Sequence, residues 1–559
     1  MEKLNRYGRI IVIAVFIVMT LCGFLVTPDY GMPWDEVLEI RTLGSNIREY
    51  IGLFQGEKNE PTRSATGIAF PDYTENPDMD HGQSIYYPFA PALFAKESVG
   101  GQRTLMLRWH MYTFGIFMAG VIALYFVCKH LTGDWKYGLL GSLFLYLSPR
   151  FFAEGHYNSK DMVTMALVLI CLALGIQMIR SGKFLFAVLF AAASAVATNM
   201  RITAVMLFGL LGLMYIINLT VEKKWSRRSF AVGVTAVLTF LGFSYLITPA
   251  AWREPLKFIE YVITRSSNYE DWPGLVFYLG TAHRPVPWHY IPVMIAVTTP
   301  ILILLLWIAG NYFSIRKFIR EKREKTRSTA TPYYIMCMVY IWVFLLFVMI
   351  KRPILYNSWR HLYFLYGPMI VLAVGAAKSI IDLLKGKMKA VAAGAIGVHL
   401  LAMIVIIILS HPFQYVYYNP IAGTDPIQNY EFDYWNVSQV NLLMKLVDQE
   451  GGDRKISICA VDWYTSDGLW KAHNILPESY KSRILLLNSP ADPNSLYGDF
   501  LMMNQSPPAM AMEVEKGWSY DKWIFTGNNL ITSDDYPVAI SNSAFGSDFM
   551  IVYDLRKET

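Results

Sequence analysis

Long apolar runs, separated by short polar connections, decide what this chain can become. They fall at roughly 10–26, 106–128, 136–148, 161–179, 184–198, 203–219, 229–247, 289–310, 333–350, 362–384 and 390–410. Many approach the roughly 20 residues that an α-helix needs to cross a bilayer, and the shorter ones need extension or tilt. Only a helix or a closed barrel satisfies its own backbone in hydrocarbon. The runs therefore predict about eleven transmembrane helices. The share of hydrophobic residues, 54% against 16% charged, agrees with this. The net charge of +6 gathers between the runs, so it reads as a topology signal and not as a nucleic-acid surface. Four of the five cysteines lie in or at apolar runs, and no disulfide framework is expected.

Orientation follows from the short basic connections. Every even-numbered connection carries lysine or arginine: Lys129 and Lys136; Arg180 and Lys183; Lys223 to Arg228; Arg316 to Arg327; Lys385 to Lys389. With the N-terminus inside, behind Lys3, Arg6 and Arg9, all of these connections are cytoplasmic. No small-x-small cleavage site follows the first run, so it reads as a retained helix. The external face then receives the loop 27–105, Ser148–Lys160, Asn199–Arg201, the loop 248–288, Lys351–His361 and everything after His411. The loop 248–288 is rich in interfacial aromatics such as Trp252, Tyr269, Trp272 and Trp288.

The character changes after residue 410. Lys455–Val461, Arg483–Leu487 and Phe549–Leu555 read as short strands, and Asn436–Asp448 as a helix. Two units are expected. Residues 1–410 form a transmembrane module that includes the first external loop, and 411–559 form a small external α/β domain. The domain is read as a cover over the membrane module; Asp462, Trp463 and Tyr464 carry no specific signal.

Polar residues without a topological role gather on the external side. Asp35 and Glu36 follow the first span and precede Val37, Ile40, Leu43, Ile47 and Ile51, the spacing of an amphipathic interfacial helix. Capping of that helix is the simpler role for both acids. The stretch from Ser148 to Asp161 packs Arg150, Glu154, His156, Asn158, Lys160 and Asp161 into one connection. Here the simpler roles are a cap by Asn158 or Ser159 and a snorkelling Lys160. Arg201 sits in a tight loop, and Arg360 and His361 precede a span, where such cations can hold a lipid phosphate. Tyr86 and Tyr87 stand in an aromatic segment at the interface. No phosphate-binding glycine loop, His-Glu-x-x-His or Cys-x-x-Cys is present. A divalent cation on Asp35, Glu36 and Asp161 stays an open alternative.

In this order, Trp-Asp-Glu-Val-Leu-Glu at 34–39, Pro-Arg at 149–150 with Asn-Ser-Lys-Asp at 158–161, and Trp-Arg-His-Leu-Tyr at 359–363 resemble a known pattern. It is that of the GT-C class of lipid-phosphate-sugar glycosyltransferases, closest to the protein O-mannosyltransferase and aminoarabinose-transferase group. The resemblance implies a polytopic fold and transfer of a sugar from a polyprenyl-phosphate donor. The acceptor hydroxyl, on a lipid, glycan or protein, would lie on the outer face of a bacterial plasma membrane. It implies catalytic roles for Asp35 as base, Glu36 as its acidic neighbour and Asp161 as second acid. Arg201, Arg360, Lys160 and His361 take the donor phosphate, and Tyr86, Tyr87, His156 and Asn158 contact substrate. Where aminoarabinose transferases carry a Lys-Pro-Pro-like segment, this chain has Tyr86-Tyr87-Pro88. Inversion is expected, because one base serves one displacement.

The competing class is a flippase or transporter, which calls for ionisable groups at span midpoints. Beyond His399 the spans carry almost none. A non-catalytic scaffold would leave the Arg150–Asp161 cluster without a role.

Overall fold

The computed structural model describes residues 6–56, 60–72, 75–76, 78–95, 101–267, 276–460, 463–487, 498–505 and 536–556. Lys3, Tyr269, Trp272, Val461 and Asp462 lie outside the described residues.

Every apolar run forms a helix. In chain order they are α1 (Arg6–Val26), α2 (Glu36–Gln55), α3 (Gly101–Thr132), α4 (Trp135–Tyr146), α5 (Pro149–Tyr157) and α6 (Asp161–Ser181). Next come α7 (Phe184–Met200), α8 (Val205–Val221), α9 (Arg227–Leu246), α10 (Pro255–Ser267), α11 (Tyr290–Thr298) and α12 (Ile301–Glu324). The membrane part closes with α13 (Thr331–Lys351), α14 (Tyr366–Leu383) and α15 (Gly386–Leu409).

Among the described residues nine helices are long and apolar enough to cross a membrane: α1, α3, α6, α8, α9, α12, α13, α14 with the turn before it, and α15. The expected count of about eleven is reduced for a local reason. α7 has 17 residues and α4 only 12, which at 1.5 Å per residue falls short of a hydrocarbon core. α4 stops because Ser148-Pro149 starts the separate helix α5. The run 289–310 is likewise divided at Pro300 into α11 and α12.

Burial sorts the helices. α6 is the most buried span and α15 the least. α6 packs on α3, α7, α8 and α14, so its first residue, Asp161, is planted in the middle of the bundle's end. α2 forms where the amphipathic spacing predicts it. Ile40 and Leu43 are fully buried, while Leu53 and Phe54 at its far end are exposed. The segment Ser84–Phe94, read as interfacial, is a 3-10 helix packed against α2, α3 and α7.

Beyond α15 lies α16 (Gln439–Glu450), then β3 (Ile456–Ala460), α17 (Trp463–Ile475), β4 (Ile484–Leu486), β5 (Phe500–Asn504), β6 (Val538–Ala544) and β7 (Ser547–Asp554). A small hairpin in the bundle supplies β1 (Val276–Tyr278) and β2 (Thr281–His283). The five-stranded sheet runs β4-β3-β5-β7-β6. β3 pairs in parallel with β4 and β5, and β7 runs antiparallel to β5 and β6. Three expected strands and the helix are present; β5 and β6 are additional. β5 is buried along its whole length, and such a strand shows no alternation in sequence.

The sheet unit is seated on the bundle. Arg103 donates to the carbonyl of Ile475, and Asn441 to that of Asp29. Gly31 passes so close that a methyl group there would collide with the Val437 carbonyl oxygen. That contact holds the connection 430–437 against the start of α2.

Candidate active site

Three helix ends meet at one end of the bundle: the start of α2, the start of α6, and the turn Arg360–Leu365 before α14. Asp35 occupies the N-cap position of α2, yet its side chain makes no capping hydrogen bond. Instead its Oδ2 lies 3.5 Å from the Arg360 guanidinium and accepts a hydrogen bond from Trp435 Nε1 at 3.3 Å. The acid that sequence reading weighs as a cap is aimed into a cavity.

Asp161 is the hub beneath it. One carboxylate oxygen pairs with Arg201; the other pairs with Arg360 at 3.2 Å. The side chain of Asp161 is wholly buried, and a lone carboxylate there would be costly without such partners. Asp161 thus fixes two guanidiniums, and both arginines line the adjoining cavity. Arg360 also stacks on the rings of Tyr356 and Trp435, at 4.9 and 5.1 Å. Its position is set on every side.

Lys160 lies 3.8 Å from Glu39, which also accepts from Ser159 Oγ. Burial pushes the Glu39 carboxyl up to about 8, only partly opposed by the nearby Lys160. Burial works against the Lys160 charge too, but Asp78, Glu39 and Asp35 outweigh it and hold its pKa above the ordinary value.

Two consecutive non-glycine residues, Asn357 and Ser358, adopt left-handed backbone conformations, with φ of 57° and 64°. Such a pair turns successive N–H groups to one side and makes a small anion-binding concavity. The Glu431 carboxyl fills it, lying against the N–H groups of Phe277, Ser358 and Asn357, and burial pushes it up to about 8. The loop that delivers Arg360 is therefore pinned by the connection from the sheet unit.

Asp35, Lys160, Arg201, Asn357, Arg360 and Trp435 line a cavity of about 340 Å³, with Asp161, Glu39 and Glu431 behind them. One wall is polar and holds Asp35, Lys160, Arg201, Arg360 and His361. The cavity's apolar lining comes from Phe344, Phe347 and Val348 at the end of α13 and from Pro353, Ile354 and Leu355 after it. Phe347 and Leu346 beside it are partly exposed on the helix's outer side, where lipid would lie. Trp435 and Tyr464 close the cavity from the sheet unit.

Of the predicted site residues, Asp35, Asp161, Arg201, Arg360, Lys160 and His361 converge here. The others do not. Glu36, one residue on, turns about 100° around the helix into the core, where it meets His110 Nε2 at 3.0 Å. Tyr86 stacks on Trp109 and hydrogen-bonds Thr113 Oγ1. Tyr87 donates to the Ile247 carbonyl. His156 is sandwiched between Tyr30 and Phe114. Asn158 takes the simpler role: its Oδ1 caps α6 by accepting from Asp161 N–H, and its amide donates to Glu154. All four are packing residues around the site. Lys160 does not snorkel, because Glu39 holds it inward. Arg150 and Glu154 form a buried support: Arg150 donates to the Tyr417 carbonyl, and Tyr363 donates to Glu154 at 2.9 Å.

Trp435, Tyr464, Glu39 and Glu431 are the residues that the sequence reading missed. Glu39 had a signal, since position i+4 from Asp35 shares its helix face. The rest lie hundreds of positions from Asp35, and no local pattern marks them.

The open alternative of a cation on Asp35, Glu36 and Asp161 does not fit. Glu36 faces His110, and Asp161 is already neutralised by two arginines. Among the described residues the grouping within metal-ligand reach is Asp78, Asp80 and His81, which also line the cavity. Arg265 lies against both of its acids. Burial works to raise the Asp80 carboxyl, but His81 and Arg265 hold it down at about 2. The arginine already supplies the positive charge there.

No protein-family model matches the chain, and no curated protein matches it in sequence. Among solved structures it is similar to ArnT from Cupriavidus metallidurans bound to undecaprenyl phosphate. The identity is 12%, 97% of each chain is covered, and the TM-score is 0.42. It is also similar to the same protein in the apo state, at 14% identity, 97% of each chain and a TM-score of 0.42.

Proposed function

We propose that this protein is a membrane glycosyltransferase that moves a sugar from a polyprenyl-phosphate donor to an acceptor hydroxyl, with Asp35 as general base. The observation that carries this reading is the two-sided cavity. A carboxylate with an open edge shares the cavity with three fixed cations, and an apolar lining continues onto exposed side chains of α13. A substrate with a phosphate at one end and a long apolar chain at the other fits both halves. The ordered motifs around Asp35, Asp161 and Arg360 point the same way.

An acceptor hydroxyl attacks an anomeric carbon only slowly until its proton is taken as the bond forms. Asp35 is the exposed acid at the cavity, about a fifth of its side chain being accessible. The leaving lipid phosphate gains negative charge, and Arg201, Arg360 and Lys160 are already in place to stabilise it. Asp161 does not touch substrate; it holds the two arginines in register. A single displacement inverts the anomeric centre. The outer-face location is part of the proposal and rests on the basic connections at the other end of the bundle.

The test is transfer by purified protein from a panel of radiolabelled polyprenyl-phosphate sugars, in detergent with added membrane extract as acceptor. Wild type should release label from the lipid, and Asp35→Asn should lose about 10²–10⁴ in rate while keeping its melting temperature. Equal release by both proteins would overturn the role of Asp35. Intact donor carried across liposomes by wild type would favour the flippase reading.

A further inference from the structure

α6 has Asp161 at one end and Arg180 at the other, 19 residues and roughly 30 Å away. Around Arg180 the bundle opens into a second cleft, of about 1980 Å³. It is built from the ends of α3, α6, α8 and α12 and the starts of α9 and α13. Eight lysine and arginine side chains line it, against two carboxylates. Neither acid balances the excess. Glu222 pairs with its neighbour Lys224, and Glu321 accepts from the Thr331 hydroxyl. Among the described residues Lys183, Arg228 and Arg327 make no ion pair.

Basic residues at this end are expected as topology signals, and such a signal needs only charge at the surface. Here eight of the charges line one concave space. The cleft also has apolar walls: Leu213, Ile217 and Val221 on α8, Phe318 on α12 and Val339 on α13. These five side chains are exposed, on helices long enough to cross the membrane. A soluble anion has no use for that surface. A phosphate headgroup among the cations, with its chains along α8 and α13, uses both.

We propose that this cleft is a binding site for an anionic diacyl phospholipid, separate from the cavity at Asp35. Basic pockets between spanning helices recognise phospholipid headgroups by this combination of cations and apolar walls. The cleft's cations come from several elements, so a bound headgroup would act as a bridge between α6, α9 and the α12–α13 connection.

Full-length protein purified in mild detergent can be titrated with phosphatidylglycerol and followed by native mass spectrometry and melting temperature. Phosphatidylcholine and inorganic phosphate serve as the comparison arms. The expected result is retained anionic lipid and a raised melting temperature, with neither effect from phosphatidylcholine. The triple variant Lys183→Gln, Arg228→Gln, Arg327→Gln should weaken lipid retention tenfold or more, as roughly 1 kcal/mol per removed cation implies. Lys385→Gln, Lys387→Gln, Lys389→Gln, with the same charge change on a connection outside the cleft, should leave retention unchanged. Equal losses in both triple variants would mean diffuse surface attraction and overturn the site. So would an equal effect of inorganic phosphate, or retention unaffected by either triple. If the cleft variant has lost its cooperative melting, Arg327→Gln alone replaces it, with about a fivefold loss expected.

Discussion

At the level of single residues, Asp161 is the most consequential charge in the molecule. Removing it leaves Arg201 and Arg360 facing each other with no carboxylate between them. Asp161→Asn should therefore cost about 3–5 kcal/mol, because breaking a buried pair strands a buried charge. A chemical melt of the detergent-solubilised protein measures it. Arg360→Lys should be poorly tolerated as well: an ammonium cannot bridge Asp161 and Asp35 and also stack on Tyr356 and Trp435. Glu39 gives a pH signature. Its folded pKa of about 8 lies above the ordinary glutamate value, so the folded state holds a proton that the unfolded chain releases. That contribution to stability is whole below the ordinary value and fades as pH rises through about 8. Glu39→Gln keeps the neutral form at every pH. The melting temperature of the variant should fall less than that of wild type between pH 5 and 8.5; parallel curves would rule this out.

Among the elements, the connection 430–437 and the loop 353–360 depend on each other. Asn357 and Ser358 hold their left-handed backbone beside Glu431, and Trp435 reaches Asp35 from the same connection. Ser358→Gly should be neutral in stability, whereas Ser358→Val should cost about 1–2 kcal/mol, since a β-branched residue resists that conformation. Gly31→Ala should push the Val437 backbone away and carry Trp435 with it. Sugar release should then drop while the helical circular dichroism stays that of wild type. The contrast with the sequence lies at this scale. Spacing of 3.6 residues placed α2 and α16 well, because one face of each is apolar, and the continuous apolar run 161–179 placed α6. Asp35, Asp161, Arg201 and Arg360 were legible because charges at span ends stand out against an apolar background. Glu36 was misjudged since adjacent acids look equivalent in sequence and differ by 100° on a helix. Tyr86, Tyr87 and His156 look available in a polar connection, and only packing shows Tyr86 and His156 stacked on Trp109 and Phe114 and Tyr87 edge-on to Tyr50.

For the whole molecule, the sheet unit completes the cavity and does more than cover it. Trp435 and Tyr464 form part of its wall, and Lys471 packs on Trp34 next to Asp35. Deleting residues after 410 should abolish transfer even if the bundle remains folded, and adding the unit back in trans should fail to restore full activity. α17 also rests on α3, so the deletion should expose apolar surface and shorten the monodisperse lifetime on a sizing column.

The cation cluster around Asp161 has a kinetic consequence under the proposed reaction. A polyprenyl-phosphate sugar is a diester with one negative charge; once the sugar departs, the phosphate carries close to two near neutral pH. Arg201, Arg360 and Lys160 are rigidly held and do not retreat as that charge grows. They must then grip the spent carrier more firmly than the loaded one. Chemistry would run ahead of release, and a rapid first turnover, near one equivalent per molecule, would precede a slower steady phase. The device that lowers the barrier would also set the pace at which the site empties.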